Sequence, residues 1–504
     1  MRFMRLTVAV VSVALLAACQ TDLTALNKDP NNPVTAPSTS LFTNAVQSTM
    51  TTYQNSFNTL SMTELFAQHV AQGQYIDEDR GHIRPGSIDL LWTNLYAGPL
   101  PDLQKVIAQG DAAKQPSTSG PARVMQSFIF EYMTDLWGDI PYAGALNGES
   151  GGDAFRPKYD TQKDIYYGLL KTLTDASAAM KAGTSVNDPG LGSADPIYGA
   201  SLFSNKDAQW VKFANSLRAR LAMQMIKADP AKAATELTAA FAGGMMASNA
   251  DNAMLSWPGD GTYNNPWATN FSTRDDHRMS KVFIDTLVAL ADPRLKIFAQ
   301  PTKADPAKYA GELNASEVAT SVNLNTTSRP GVIFYPGATL YGTVGTSAGK
   351  ATPSYLMTFA EVSFIQAEAA ERSVGGLTPG QAAGFYNAGI TASITQWGGT
   401  AAEAATYLAK PGVAYTPGSV GLQQIGLQKW IALFTQGDRA WAEWRRTGNP
   451  ASIKPGPAMY ADVPGVPRRL PYPAGEQSTN KTSLNEAVAR QGADTYLTKM
   501  WWDK

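Results

Sequence analysis

Apolar residues recur every three or four positions in several stretches of the chain, which is the spacing of one face of an α-helix. In the clearest stretch, Val124, Phe128, Tyr132 and Leu136 follow one another at intervals of four. The same spacing occurs in three further stretches, 210–225, 362–369 and 427–434. These patterns predict a mainly α-helical protein, in which helices of about 12–20 residues pair as hairpins.

Two helix starts are marked by capping residues. Thr378, Pro379 and Gln381 combine a capping hydroxyl, proline at the first helical position and a glutamine that can reach back to the cap. Residues 161–164, Thr-Gln-Lys-Asp, form a weaker version of the same box. We therefore expect one helix to begin near 379 and another near 162.

Strand signals are scarce. Residues 331–336, Gly-Val-Ile-Phe-Tyr-Pro, predict one short strand. Turn dipeptides dominate much of the region from 242 to 353, and the chain is again loop-rich near its end. We therefore expect a single body, 38–504, with an irregular lobe packed on a helical scaffold. Its predicted parts are helical segments at about 38–241 and 354–446, a ligand-side lobe at about 242–353, and an irregular C-terminal segment, 447–504.

The N-terminus has the pattern of a lipoprotein signal. Arg2 and Arg5 precede a short apolar run, and small residues lead to Cys19, the only cysteine of the chain. Such a segment is an export signal and is too short for a stable membrane span. We predict that residues 1–18 are removed and that Cys19 carries lipid, including palmitate. An ordinary secretory signal with a chance cysteine is the alternative.

The lipid would hold the protein at a membrane through a flexible tether. Residues 19–37 are rich in proline and asparagine, a composition typical of extended linkers. With Cys19 lipidated, no disulfide is possible, so the fold must be stabilised by packing alone.

Composition narrows the ligand class. The chain of 504 residues has 41 basic and 42 acidic residues, so it has no basic excess for nucleic acid. Charged residues are only 16% of the chain, whereas 11 Trp and 20 Tyr are present. A surface with these proportions suits neutral polar ligands better than ions.

Catalytic motifs are weak. Residues 345–349, Gly-Thr-Ser-Ala-Gly, match the serine-hydrolase pattern, but His69, His82 and His277 all precede the serine, which is the wrong chain order. Glu368 and Glu371 are interpreted as helix-surface charges and not as an acid/base pair. The sequence therefore predicts no catalytic residue.

Metal-binding patterns are equally weak. The three histidines show no spacing typical of zinc ligands. Residues 77–79, Asp-Glu-Asp, could offer oxygens to calcium, but they do not form a twelve-residue calcium loop. We expect a solvated acidic loop there, and we predict neither a metal site nor a cofactor.

Two clusters place aromatic side chains beside polar ones, an arrangement that stacks on sugar rings or peptide side chains and adds directional hydrogen bonds. Trp92 has helical spacing with Leu95 and Tyr96, so a place in the core is the competing interpretation. Tyr263 and Trp267 lie between turn residues, where aromatic side chains are less easily buried. The ligand-binding candidates are Tyr75, Arg80 and Trp92 in the first cluster, and Trp257, Tyr263, Trp267 and Arg274 in the second.

Several sequence segments resemble those of one family. They include the Gly-Asp-Ile-Pro-Tyr turn at 138–142, Ala-Asn-Ser-Leu-Arg at 214–218, the Ala-Glu-rich helix at 360–370, and segments at 26–33, 292–295, 428–448, 467–473 and 499–504. Taken in chain order, these segments are similar to those of the SusD/RagB family of outer-membrane nutrient-binding lipoproteins. The resemblance covers nearly the whole chain after Cys19.

This resemblance implies a tetratricopeptide-like helical scaffold with a loop-rich lobe. It also implies a lid over a SusC-like TonB-dependent transporter in the outer membrane, facing the cell exterior. No ligand residues are transferred, because family members share few of them. Five arginines in the similar segments are expected to form interior ion pairs of the scaffold: Arg218, Arg220, Arg439, Arg445 and Arg446.

The sequence therefore favours a non-catalytic lipoprotein that captures an oligosaccharide or a peptide for a transporter. A membrane-anchored glycoside hydrolase is one alternative, because aromatic clusters also line glycosidase clefts; it would need two acids roughly 5–10 Å apart. A helical scaffold without a small ligand is the other.

Overall fold

The computed structural model of the chain describes residues 36–183, 188–200, 205–317, 325–335 and 349–504. Residues 1–18, Cys19 and almost all of the predicted tether lie outside the described residues, as do residues 345–348 of the hydrolase-like motif.

Helices dominate the described chain, as the sequence predicts. A π-helical turn, Thr59–Thr63, leads directly into the second helix. The helices are α1 (Ser38–Tyr53), α2 (Glu64–Phe66), α3 (Pro85–Ala97), α4 (Pro99–Ala112), α5 (Pro116–Trp137), α6 (Gln162–Ala182), α7 (Lys206–Gln224), α8 (Pro230–Gly243), α9 (Pro266–Phe271), α10 (Lys281–Ala289), α11 (Leu295–Phe298), α12 (Phe359–Glu371), α13 (Pro379–Gln396), α14 (Ala401–Leu408), α15 (Ser419–Ala432), α16 (Gly437–Thr447), α17 (Ala474–Thr479) and α18 (Lys481–Gln491).

Consecutive helices pack as hairpins. From α4 to α8 each helix packs against the next, and α1 packs on α4. A second array consists of α12, α13 and α14, with α15 packed on α12. The four periodic stretches lie in α5, α7, α12 and α15, and the Thr378 cap begins α13, where its N–H donates to Gln381 Oε1 at 2.9 Å. These findings confirm the predicted helical-hairpin scaffold.

Within the described residues, four short strands form two antiparallel pairs. β1 (Val70–Gln72) pairs with β3 (His277–Met279), and β2 (Ala253–Leu255) pairs with β4 (Ser354–Met357). None of the described helices is long and apolar enough to cross a lipid bilayer.

The short strand predicted at 331–336 is wrong. Val332–Phe334 forms a 3-10 turn, in which Phe334 is buried against Trp267 and Phe434, with ring centroids 5.4 and 5.5 Å apart. The apolar run therefore reflects burial in an aromatic core and not strand pairing.

The C-terminal segment, expected to be irregular, contains α17 and α18. Helix α18 packs behind the turn that ends α5, where Arg490 pairs with Asp139 at 3.0 Å. Gly138 has a φ of +86°, and a Cβ there would lie 1.8 Å from Gln491 Oε1. Glycine at this turn is thus required by both conformation and space.

Interior ion pairs join the two helical arrays. Arg220 of α7 pairs with Glu131 of α5 at 2.9 Å and with Glu361 of α12 at 3.2 Å, and all three side chains are buried. Arg439 pairs with Asp135 at 2.9 Å. Each of these buried side chains has an oppositely charged partner within hydrogen-bonding distance, which offsets the cost of removing it from water. The predicted interior ion pairs of Arg220 and Arg439 are confirmed.

Two details differ from the expectation. Glu368 is not a surface charge: it is buried and pairs with Arg446 at 2.5 Å, and Arg446 holds the pKa of that carboxyl below its usual range despite burial. Arg445 donates to the carbonyl oxygens of Asp135 and Arg468 and stacks 3.6 Å from the Trp441 ring centroid. It therefore ties a loop to a helix through carbonyl groups.

Candidate functional site

Helix α1 exposes a face made only of amides and hydroxyls. Asn44, Gln47, Ser48 and Thr51 follow the spacing i, i+3, i+4, i+7, which puts them on one side of the helix. Its other side, which includes Phe42 and other apolar residues, packs into the core. No residue of α1 is charged. This is unusual, because the solvent face of an amphipathic helix normally carries charged residues.

This face forms one wall of a groove of about 520 Å³. Thr93, Asn94 and Ala97 of α3 form the opposite wall, and Tyr263 lies at the groove with 49% of its side chain exposed. We call this the polar groove. Gly98 at the corner between α3 and α4 is needed there, since a Cβ would lie 2.5 Å from the Asn94 carbonyl oxygen.

The lining of the polar groove is electrically neutral. Among the described residues that form it, none is acidic, basic or histidine. The side chains of Gln47, Thr51, Thr93 and Asn94 make no hydrogen bond within the described chain, and Thr93 and Asn94 are exposed. Their donors and acceptors are therefore available to a ligand.

A tight turn presents Tyr263. Asp260 Oδ1 accepts hydrogen bonds from the N–H groups of Thr262 and Tyr263 at 2.9 and 3.2 Å. Gly259 N–H donates to the Tyr263 carbonyl at 3.1 Å, which closes the turn. Gly261 has a φ of +103°, which favours glycine. The ring is thus held on a defined backbone while its side chain stays accessible.

Such a site can bind a neutral polyhydroxylated ligand. The aromatic face offers a platform for the C–H face of a ring, and the amides and hydroxyls both donate and accept hydrogen bonds. It supplies no charge to pair with an ionic ligand.

A second exposed aromatic, Tyr75, lies with Arg274 in the structure, although the sequence analysis put them in different clusters. The Arg274 guanidinium is 5.2 Å from the Tyr75 ring centroid and also pairs with Asp276 at 2.5 Å. Tyr75 is 59% exposed. Cation–π contact and the ion pair fix both side chains at the surface.

Arg80 is engaged within the protein. Its guanidinium lies 4.2 Å from the ring centroid of Tyr460, and its Nε donates to the Ala458 carbonyl at 2.7 Å. His82 also stacks on Tyr460, at 3.8 Å, and bonds Asp462 at 2.9 Å. This stack ties the loop after β1 to the C-terminal segment.

The three tryptophan candidates lie in the core. Trp257 donates to Ser354 Oγ at 2.8 Å, and Trp267 donates to Thr59 Oγ1 at 2.9 Å. Trp92 is 7% exposed and meets Trp137 edge-on, with ring centroids 5.1 Å apart. Turn residues around Trp257 and Trp267 do not keep them exposed, because the loop folds back onto β4 and the π-helical turn. The structure therefore does not bring these rings to the polar groove.

The acidic loop at 77–79 is not solvated as expected. Glu78 is buried and pairs with Arg84, whose guanidinium lies 5.5 Å from the ring of the exposed Phe57. Asp79 accepts a hydrogen bond from Asn314 at 2.9 Å, and burial raises the pKa of its carboxyl to about 7. No group of three or more metal-ligating side chains comes together in the described chain.

Sequence reasoning missed the groove residues Gln47, Thr51 and Asn94. A usable signal existed in α1: sixteen residues with an apolar stripe and no charge. The contribution of α3 had no comparable signal, since Thr93 and Asn94 are ordinary exposed positions of a helix.

A family model described as "Starch-binding associating with outer membrane" (SusD-like) matches residues 30–473 of the chain. The match covers most of its 504 residues, and the chain belongs to this SusD-like family. The resemblance found in the sequence is thereby confirmed.

Solved structures share the fold. A chitin-binding protein superposes with a TM-score of 0.76 at 26% identity, covering 93% of this chain and 100% of its own. A chitin-binding SusD homologue from Flavobacterium johnsoniae gives 0.77 at 25% identity, covering 93% and 98%. A SusD homologue from Bacteroides thetaiotaomicron gives 0.74 at 24% identity, covering 93% and 99%. No functionally curated protein matches the chain.

Proposed function

We propose that the protein is a non-catalytic lipoprotein that captures a neutral oligosaccharide in the polar groove and passes it to a SusC-like TonB-dependent transporter. The observation that carries this proposal is the uncharged wall of α1 and α3 facing the exposed ring of Tyr263.

Carbohydrate is favoured over peptide by two independent observations. The groove has hydroxyls, amides and one ring but no charged lining residue in the described chain, whereas a peptide site commonly uses charges for the termini and side chains. The family is described as starch-binding, and two structures of the same fold bear chitin-binding in their names.

Capture is favoured over hydrolysis by the same lining. Glycoside hydrolysis uses a pair of carboxyl groups flanking the scissile bond. The described residues that line the polar groove include neither aspartate nor glutamate. A ligand held there meets hydrogen bonds and a stacking face, which is what reversible binding needs.

The proposed location is supported by the family description and by the N-terminal pattern, and the proposed transporter partner by the SusD/RagB resemblance of the sequence. The family description associates its members with the outer membrane. Lipid on Cys19, joined by the tether 19–37, would hold the body at that membrane, facing the exterior. Tyr75 and Arg274 are proposed as secondary ligand contacts. The Tyr75 ring is exposed, and the Arg274 guanidinium lies 5.2 Å from its centroid.

The direct test is calorimetric titration of the mature protein with a panel of starch, chitin and other neutral oligosaccharides, and with peptides. We expect one neutral glycan class to bind, and Tyr263→Ala to weaken binding at least tenfold through loss of the stacking face. Phe57→Ala is the matched control, since Phe57 is also an exposed aromatic but does not line the polar groove. Binding of peptides alone would contradict the proposal.

Delivery is tested separately by purifying the full chain from detergent-solubilised outer membranes. We expect a large barrel protein to co-purify with the lipidated chain. A Cys19→Ala variant should be recovered without lipid and away from the membrane. Membrane attachment unchanged by that substitution would contradict the anchoring role.

A further inference from the structure

A second concavity lies on the other side of Ala97, and its chemistry is the opposite of that of the polar groove. Its volume is about 730 Å³, within the range of roughly 300–1,000 Å³ typical of small-molecule sites. Ala97 lines both, so the two openings adjoin at the corner between α3 and α4. We call it the apolar pocket.

Flat apolar faces make up most of the apolar pocket. Trp92, Tyr96 and Phe155 contribute rings, and Pro101, Pro141 and Pro157 contribute proline faces. Phe155 is 69% exposed, so its ring stands at the mouth with little cover of its own. Such walls favour a planar apolar ligand, because each buried ring removes a large apolar area from water.

The Tyr96 side chain is fixed in place by a hydrogen bond. Tyr96 donates its hydroxyl to the Pro141 carbonyl at 2.5 Å, and burial raises the pKa of that hydroxyl well above its usual value. It therefore presents a neutral ring to the pocket. The wall is preformed, which reduces the entropy that a ligand must lose on binding.

Five polar side chains also line the pocket: Gln104, Lys105, Glu149, Glu476 and Asn480. Gln104 accepts a hydrogen bond from Gln126 at 3.1 Å, and Asn480 donates to the Pro157 carbonyl at 2.9 Å. Glu476 lines the pocket half-buried, and its Oε2 accepts a hydrogen bond from Tyr159 at 2.6 Å. Its Oε1 accepts no hydrogen bond within the described chain. A carboxylate only accepts, so it calls for a ligand that donates an O–H group. At the mouth Lys105 and Glu149 lie 4.0 Å apart and offset each other's charge.

We propose that the apolar pocket is a binding site for a hydroxylated aromatic ring, with the ring between Tyr96 and Phe155 and its hydroxyl donating to Glu476. A sugar would place several of its hydroxyls against proline and aromatic walls, and a plain acyl chain would offer no donor to the carboxylate. The ring can be free in solution or carried as an ester on the captured glycan. Only that choice of source rests on the proposed function.

The probe is methyl ferulate, a neutral phenolic ester, titrated into the mature protein by calorimetry without any glycan. Ala108→Trp fills the pocket from an exposed position of α4 and should weaken binding at least tenfold. Ala112→Trp lies one turn further along the same helix, does not line the pocket, and should stay within twofold of wild type. Tyr263→Ala should also leave this binding unchanged.

The hydroxyl is tested with the methyl ether of the same probe, which cannot donate. Glu476→Gln should weaken methyl ferulate about fivefold and leave the ether unchanged, because a charged acceptor becomes a neutral one. Equal weakening of both compounds would overturn the role of Glu476.

Two results would overturn the site itself: no saturable binding of methyl ferulate, or equal affinities for wild type and Ala108→Trp. Failure of the proposed function would give a different result: no glycan would bind, while methyl ferulate would still bind. A feruloylated oligosaccharide separates the sources. If its advantage over methyl ferulate disappears in Tyr263→Ala, the ring is carried on the glycan; if it has no advantage, the ring is bound free.

Discussion

The polar groove and the apolar pocket adjoin at Ala97 but are built from different materials. The groove uses amides and hydroxyls on two helices with one exposed ring, Tyr263. The pocket uses rings and prolines, with one unshared carboxylate oxygen on Glu476. The groove suits a ligand with many weak hydrogen bonds, and the pocket suits one with a flat apolar face. The comparison shows that one corner of a helical scaffold can present two recognition chemistries side by side.

The largest expected effect concerns the scaffold that both regions share. Arg220→Met leaves Glu361 buried without its cation and leaves Glu131 with only Arg439, 3.3 Å away, so we expect a loss of about 3–5 kcal/mol of unfolding free energy. Chemical denaturation measures this loss. Affinities of both regions, per folded molecule, should stay unchanged.

Arg123→Met is the control for that loss. Arg123 pairs with Asp111 at 2.6 Å near the surface, where such pairs contribute at most about 1 kcal/mol. A loss for Arg220→Met no larger than that of Arg123→Met would contradict the scaffold role of the interior pair.

Lowering the pH should change the stability of the fold but not the affinity of the polar groove for a glycan. Burial, with the nearby charges of Arg274 and Arg278, lowers the pKa of His277 to about 3, so below about pH 6.5 the unfolded chain binds a proton that the folded chain does not. This contribution to stability is full above pH 6.5 and is lost as pH falls towards 3. At pH 5 the loss is about 2 kcal/mol.

The difference between wild type and His277→Gln, each denatured at pH 5 and pH 7.5, measures this contribution. The comparison is needed because the buried carboxyl of Asp79, with its pKa raised to about 7, changes total stability in the opposite direction over the same range. His277→Gln should reduce the acid loss, while His82→Gln, at an exposed position, should keep it. Glycan affinity should not change over this range, because the described lining of the polar groove has no acid, base or histidine. If glycan affinity and stability fell together as the pH is lowered, the distinction between the titrating core and the neutral groove would be contradicted.

A charge placed in the polar groove should weaken it. Asn94→Asp removes two donors and adds a carboxylate, so we expect about tenfold weaker binding of a neutral glycan. Asn147→Asp changes an exposed residue in the loop beside the apolar pocket and should have no effect on glycan binding. Calorimetry on both variants gives the ratio, and equal affinities would argue that the groove is not the glycan site.

Ionic strength should have the smallest effect. Without charged lining residues in the described part of the groove, glycan affinity should change less than about twofold between 0.05 and 0.5 M salt. A steeper dependence would indicate a charged ligand and contradict the neutral lining as the basis of recognition.

Helical periodicity predicted the scaffold well, since α5, α7, α12 and α15 lie where the apolar spacing placed them. Local patterns failed where tertiary packing decides. Trp267 lies between turn residues yet is 1% exposed, because its indole N–H finds Thr59 more than 200 residues away in sequence. Glu78 is buried because Arg84 and Gln72 satisfy it.

The candidate site was predicted in part. The sequence put Tyr263 between turn residues, and its ring is exposed in the structure; Tyr75, the candidate of the other cluster, is exposed as well. The polar neighbours of Tyr263 could not be identified from the sequence. Gln47 and Asn94 become its neighbours only when α1, α3 and a distant loop pack together. No spacing along the chain encodes that contact.

The central claim is tested most directly by a crystal structure of the mature protein with the oligosaccharide that binds tightest. We predict a sugar ring stacked on Tyr263, with its hydroxyls bonded to Gln47 and Asn94 in the polar groove. A glycan bound elsewhere, with Tyr263 and both amides still facing solvent, would contradict the account.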